Sequence, residues 1–301
     1  MKKLFAYMLM VLGWISGANA YVTSDASDPN VKSLCRDGMY STSVGRGTCS
    51  GHGGVAGRVD PIQQIEPSNN FEVKRVTDVQ LVSIKPPENF RKAKAAAVKS
   101  IYFDTSKELY CDCPITWQGN KGSGVIDIAS CGYKVRKNAT RANRVEWEHV
   151  LPISIVGKQY QCWKNGGRKN CQKVSEEFNK AEADLHNFLP VIGEVNGDRS
   201  DFMYGMLNES PHQYGSCQTV IDFKARKMMP REEIRGIVAR ITLYMYDRYG
   251  MRLSKQDQQL FNAWNKMYPV TEWEKERNQR TACVMGWGNN YISDIDLNKC
   301  K

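Results

Sequence analysis

Past residue 20 the chain has no run of roughly 18 uninterrupted apolar residues, which is what a membrane-crossing helix requires. A helical span is therefore not expected in the remainder. There is no internal repeat and no low-complexity tract, so neither a solenoid nor a disordered tail is indicated. Zinc spacing is missing too: Cys111 and Cys113 are one residue apart instead of two, and no second close pair completes a four-ligand set. The ten cysteines, an even number, read instead as disulfides.

What is present begins with Lys2 and Lys3, the apolar run LFAYMLMVLGWIS and the small-residue site Ala18-Asn19-Ala20, the pattern of a cleaved signal peptide over 1–20. The mature chain is then expected to start near Tyr21 and to fold in an oxidising compartment, periplasmic or extracellular. The formal charge of +10 falls to +8 once Lys2 and Lys3 leave, which favours a polyanionic partner without naming it.

Residues 21–60 are rich in Ser, Asp and Gly and show no sustained apolar period, so a small loop-rich module is expected, closed by its only two cysteines, Cys35 and Cys49. A polar, proline-punctuated linker spans 61–90, and residues 91–301 suffice for one compact domain of mixed α and β elements. Within it, NFRKAKAAAVKSIYFD predicts a helix starting near Asn89, VIDIAS and YKVRKN predict short strands, and EEFNKAEADLHNF (176–188) predicts a helix that Pro190 breaks. Ile234, Ile237, Val238, Ile241 and Met245 form one apolar stripe of a helix with Pro230 in its first turn. Another opens at Ser254 and runs through Trp264.

Polar chemistry concentrates in three segments. RVEWEHVLP (144–152) sets Glu146, Glu148 and His149 close together, and Pro152 suits a strand that ends there, which would let Glu148 and His149 reach one site. CWKNGGRKNC (162–171) could close through its cysteines and pin Arg168. In EVNGDRS, Glu194, Asn196, Asp198 and Arg199 surround Gly197, which fits a sharp turn or a close approach of the backbone to a ligand.

Together with FKARKMMP, RGIVARITLYM, LSKQDQQLFNAWNKMYPV and EWEKERN, the segments EWEHVLP, CWKNGGRKNC, EADLHNFLP and IGEVNGDRS closely resemble the bacterial endonuclease I family, from about residue 95 to Cys300. The resemblance implies an α+β fold containing a ββα-metal (His-Me finger) motif, stabilised by disulfides. It also implies a periplasmic or secreted endonuclease acting on DNA and also on RNA. By position it implies His149 as general base, Glu182 orienting that histidine, Arg168 holding phosphate, and Glu148 with Asn196 binding one divalent metal: Mg²⁺, with Mn²⁺ or Ca²⁺ as alternatives. Asn187 is kept as an alternative ligand or as a partner behind the ligands. His186 is read as structural or as a partner behind the ligands.

These residue types suit phosphodiester hydrolysis. A neutral imidazole can take a proton from water, one carboxylate and one amide oxygen leave a hard cation several open positions, and an arginine can meet growing phosphoryl charge. No zinc-finger, basic-zipper or RNA-recognition signature occurs, so cleavage without sequence preference is expected, with phosphate tracking by basic residues in 134–144, 164–173 and 224–235. The protein is expected to be a monomer. CRDGMYSTSVGRGTCSGHGGV is similar to a small cysteine-paired bacterial domain of unknown function; His52 reads as a polar loop residue, and no partner is assigned to this module. The competing class is a non-catalytic exported protein that binds nucleic acid or wall polymer.

Overall fold

The computed structural model describes residues 22–23, 31–58 and 84–300. The expected signal peptide and most of the expected linker lie outside the described residues. The chain divides into two compact units, with the boundary at Asp78 and Val79.

In the first unit four short strands, β1 (Val22–Thr23), β2 (Ser33–Cys35), β3 (Tyr40–Ser41) and β4 (Val55–Arg58), form an antiparallel sheet in the order β1-β3-β2-β4. Loops dominate, as the composition predicts, yet a sheet is there. Few side chains are buried besides Val31, Cys35 and Cys49, and the Cys35–Cys49 disulfide supplies what so small a core cannot. His52 is a partly exposed loop residue whose Nδ1 lies 2.6 Å from Asp37 Oδ2.

The second unit mixes helices and short strands. Asn89 caps α1 (Phe90–Ala96) by accepting from Lys92 N, and the helix runs on through a π turn, Ala97–Ile101. A hairpin of β5 (Ile115–Gln118) and β6 (Ser123–Ile126) follows, then α2 (Ala139–Ala142) and β7 (Val145–His149). Four short helices, α3 (Ile153–Gly157), α4 (Gln161–Lys164), α5 (Gly167–Val174) and α6 (Glu176–Glu182), lead to β8 (Phe188–Ile192), which pairs antiparallel with β7 and passes directly into α7 (Gly193–Arg199). In that pair Glu148 faces Leu189 and His149 faces Phe188. Beyond it, β9 (Met203–Tyr204), β10 (Val220–Asp222) and β11 (Lys227–Met229) form a second small sheet. The chain then turns helical: α8 (Arg235–Arg248), α9 (Lys255–Met267) and α10 (Glu272–Met285).

The stripe Ile234, Ile237, Val238, Ile241 and Met245 is buried, as its spacing requires. Pro230, however, precedes the helix: a 3-10 turn at Glu232–Ile234 comes first and α8 starts at Arg235. Ser254 caps α9 by accepting from Asp257 N. Cys111–Cys217, Cys113–Cys131, Cys162–Cys171 and Cys283–Cys300 are disulfides, and no cysteine among the described residues is free.

Two expected elements are different in the fold. YKVRKN is not a strand: the Glu194 carboxylate accepts from the backbone N–H groups of Arg136, Lys137 and Asn138, which leaves no ladder to form. The helix expected over 176–188 stops at Glu182, and Asp184 caps a separate 3-10 turn, Leu185–Asn187. Pro190 then sits inside β8. Its carbonyl points away from β7 to accept from Leu109 N at 3.0 Å. In an extended strand N and O of one residue face the same side, so the missing N–H costs no bond to β7.

Candidate active site

Alternation along β7 turns Glu146 and Glu148 to one face and Trp147 and His149 to the other. The strand stops at His149, and Glu148 and His149 both line one cleft of about 420 Å³ together with Trp163, Arg168 and Asn196. Four of the six residues singled out from sequence therefore converge: Glu148, His149, Arg168 and Asn196. Glu182 and Asn187 stand behind the cleft.

The His149 ring stacks on Phe90, centroids 5.1 Å apart, and meets Phe188 edge-on at 4.7 Å. Its Nε2 lies 2.9 Å from the backbone oxygen of Glu182. A carbonyl only accepts, so Nε2 carries the proton and Nδ1 keeps a free lone pair, with no partner among the described residues. Burial pushes the imidazole down to about 3, against the pull of the Glu182 carbonyl and with added repulsion from Arg168 and Arg199; the ring is neutral at neutral pH.

The Glu148 carboxylate is buried, which raises its pKa, and three groups oppose that rise: Arg199, Tyr110 and Tyr204. Arg199 and Tyr110 both donate to Oε1, Tyr110 at 2.8 Å, and Tyr204 backs Tyr110 through a 2.6 Å hydroxyl contact. No donor among the described residues reaches Oε2. Arg199 also donates to the carbonyls of His149 (3.0 Å) and Val150 (2.7 Å), so one guanidinium fixes the strand end and its carboxylate together. Tyr110 is anchored in turn by the adjacent Cys111–Cys217 disulfide and by Glu108, which accepts from Tyr110 N and from Ile192 N of β8.

Asn196 donates through Nδ2 to Glu146 at 2.8 Å, leaving Oδ1 without a donor among the described residues. Glu146 is itself gripped by Arg141 and Arg144. Gly197 lies within α7, not at a sharp turn, and its close approach is to a side chain: a Cβ there would stand 2.0 Å from Arg141 Nη1. The glycine clears the path by which Arg141 reaches Glu146.

Arg168 is 40 % exposed, holds Glu182 Oε1 through Nε at 2.5 Å and lies over the Phe90 ring at 5.1 Å. Gln172 donates to both oxygens of that carboxylate. The Cys162–Cys171 bridge closes the loop and short helices that carry Arg168. The expectation for Glu182 needs correcting at the atom level: its backbone carbonyl meets the histidine, while its carboxylate serves the arginine. Asn187 is not placed as a ligand. Its amide is spent on Leu151, accepting from N at 2.8 Å and donating to O at 2.9 Å, which braces the turn just after His149. His186 is buried with Nε2 on the Trp287 carbonyl.

Glu146 and Arg199 stood in the dense polar segments of the sequence without a role, and Tyr110 and Tyr204 were not singled out at all. For Glu146 a signal existed, an acid two residues before Glu148 on the same strand face; the tyrosines come from distant segments and had none. Among the described residues no three His, Cys, Asp or Glu side chains cluster as a metal cage. The undonated oxygens of Glu148 and Asn196 do fit a hard cation that keeps most of its own water.

Residues 89–295 match the family Endonuclease I, and residues 29–58 match a domain of unknown function, DUF3761. An extracellular deoxyribonuclease of Aeromonas hydrophila is 45 % identical over 227 residues, 75 % of this chain and 96 % of the relative. Endonuclease-1 of Buchnera aphidicola is 46 % identical over 208 residues (69 % and 82 %), and a periplasmic deoxyribonuclease of Aeromonas hydrophila is 47 % identical over 206 (68 % and 85 %). A disulfide-braced α+β domain with this likeness is a nuclease. The chain belongs to the endonuclease I family.

Proposed function

We propose that the protein is an exported endonuclease that hydrolyses DNA, and RNA as well, without sequence preference and with one divalent cation, Mg²⁺ by the hardness of its oxygen donors. The observation that carries this is the convergence on one cleft of a neutral imidazole whose Nδ1 is free and two oxygens that are undonated among the described residues, with an arginine whose side chain is 40 % exposed. The β7-β8-α7 succession serves as the ββα-metal frame for Glu148, His149 and Asn196, and α5 carries Arg168.

His149 Nδ1 takes the proton of the attacking water, and the Glu182 carbonyl keeps the other nitrogen protonated so that Nδ1 stays a base. Glu148 and Asn196 would hold the cation, which when bound supplies positive charge to a phosphoryl oxygen and to the departing 3′ oxygen. Arg199 opposes the rise that burial imposes on Glu148, and Glu146 turns the Asn196 oxygen toward the cleft. Arg168 meets the phosphoryl charge that grows in the transition state.

Arg136, Arg141 and Arg144 are committed to Asp198 and Glu146. Tracking of the substrate's other phosphates therefore falls to exposed lysines such as Lys134, Lys137, Lys164, Lys169 and Lys173. Five disulfides support export, since such a framework does not persist in a reducing cytosol. Supercoiled plasmid incubated with the oxidised protein should be degraded with Mg²⁺ and left intact with a chelator. Gel retardation of plasmid without cleavage under both conditions would favour the non-catalytic binding protein instead.

A further inference from the structure

Trp163 shares the disulfide-closed segment with Arg168 and lines the same cleft, yet nothing in the reaction described above uses it. Trp117, Trp147 and Trp287 each donate the indole N–H, to Thr105 O, Gly122 O and Tyr244 Oη respectively. The Trp163 N–H has no acceptor among the described residues, and the side chain is only half-buried. What sets it apart is its place in the cleft, since Trp264 and Trp273, which do not line it, likewise have no indole acceptor among the described residues. Its seat is nonetheless fixed. A Cβ on Gly157 would stand 2.0 Å from the indole, so the ring rests directly on that backbone, and Phe178 packs against it at 5.9 Å between centroids. The neighbouring Cys162 is crosslinked to Cys171.

A rigid aromatic surface with an unspent donor, in a cleft whose other rings are already covered, Phe90 by His149 and Arg168 and Trp147 by Trp117, matches one feature of the substrate that the charged groups cannot engage. A nucleic acid alternates phosphates with flat, polarizable bases. Arginine and the cation address the first; an aromatic face addresses the second at little conformational cost and with tolerance for every base.

We infer that Trp163 is the contact for the nucleotide beside the scissile phosphate, stacking on its base where the strand is unpaired and packing on its sugar where the strand is in a duplex. Trp163 is thus a specificity-determining residue that favours single-stranded or locally opened substrate while leaving base identity unread. The inference rests on the nuclease function proposed above.

The test uses the oxidised full-length protein and the variants Trp163→Phe and Trp163→Ala, each first compared with the parent by thermal melting. Binding of a fluorescein-labelled single-stranded oligonucleotide and of its duplex is measured by anisotropy in chelator, and cleavage of both with Mg²⁺. Trp163→Ala should weaken single-strand binding by about tenfold and duplex binding by about two- to threefold, the range that loss of one aromatic stack produces. Trp163→Phe should fall between, and the loss should appear in KM far more than in kcat. The parent's tryptophan fluorescence should be quenched by the single strand, and less so in Trp163→Phe. Equal losses on single strand and duplex, parent-like binding by both variants, or a fall confined to kcat would each overturn the inference, the last by showing that Trp163 only positions Arg168. A parent that neither binds nor cuts any nucleic acid would instead overturn the proposed function, a failure visible before any variant is compared.

Discussion

The end of β7 and the 3-10 turn before β8 each hold a buried histidine, and the two are close to matched. His149 and His186 both set Nε2 2.9 Å from a backbone carbonyl, both pack against aromatic rings, and burial lowers both, to about 3 and about 4. They differ at the other nitrogen. His186 Nδ1 is sealed away from solvent with no partner among the described residues, whereas His149 lines the cleft. A suitable tautomer and a neutral ring are therefore not sufficient for a base: access to water separates the chemical histidine from the structural one.

The contrast can be broken most forcefully by exchanging the two losses. His149→Ala should lower kcat by roughly 10²–10⁴, the usual worth of a general base, and should also cost some stability, because its ring is packed on Phe90 and Phe188. His186→Ala should cost about 2–4 kcal/mol of stability while folded protein turns over near the parent rate. Plasmid cleavage beside calorimetry checks both, and a parent-like rate for His149→Ala would remove it from the mechanism.

The next largest effect separates an accessible arginine from a sealed one. Arg168→Ala should reduce kcat/KM about 10²-fold and cost some stability too, since the buried Glu182 carboxylate would keep only Gln172 as a partner. Arg199→Ala should instead destabilise by about 3–5 kcal/mol, because Glu148 would be left as a buried, uncompensated charge. Smaller again, Glu146→Gln should weaken Mg²⁺ binding about tenfold by loosening Asn196, as removal of a partner behind a ligand commonly does. An unchanged magnesium titration would dismiss that link.

A further effect concerns pH. Between 6.5 and about 4 the unfolded chain takes up a proton at residue 186 that the folded chain does not, so stability falls as pH falls through that window, by up to about 1.4 kcal/mol per unit. Urea midpoints measured across it should drop in the parent and drop less steeply in His186→Gln.

Much of the cleft was legible because its members sit in dense polar segments bounded by cysteines, glycines and prolines, and because those segments match one family. Helix starts at Asn89 and Ser254 were legible too, being local hydrogen bonds between a side chain and nearby backbone. Contacts across long separations were not. Nothing local reveals that Glu194 would draw off the backbone of 136–138, or that Tyr110 would reach Glu148. Pro190 misled for a related reason: whether a missing N–H matters depends on which side a strand is paired, and that is a property of the sheet.

Glu182 leaves a consequence for anyone dissecting this cleft by substitution. Its carbonyl belongs to the main chain and its carboxylate to the side chain, so mutagenesis at 182 releases Arg168 and Gln172 but cannot erase the acceptor opposite the imidazole. The proton's address on the ring is written in backbone, where single-codon change has no purchase, and only a shift of the chain between α6 and the following turn could rewrite it.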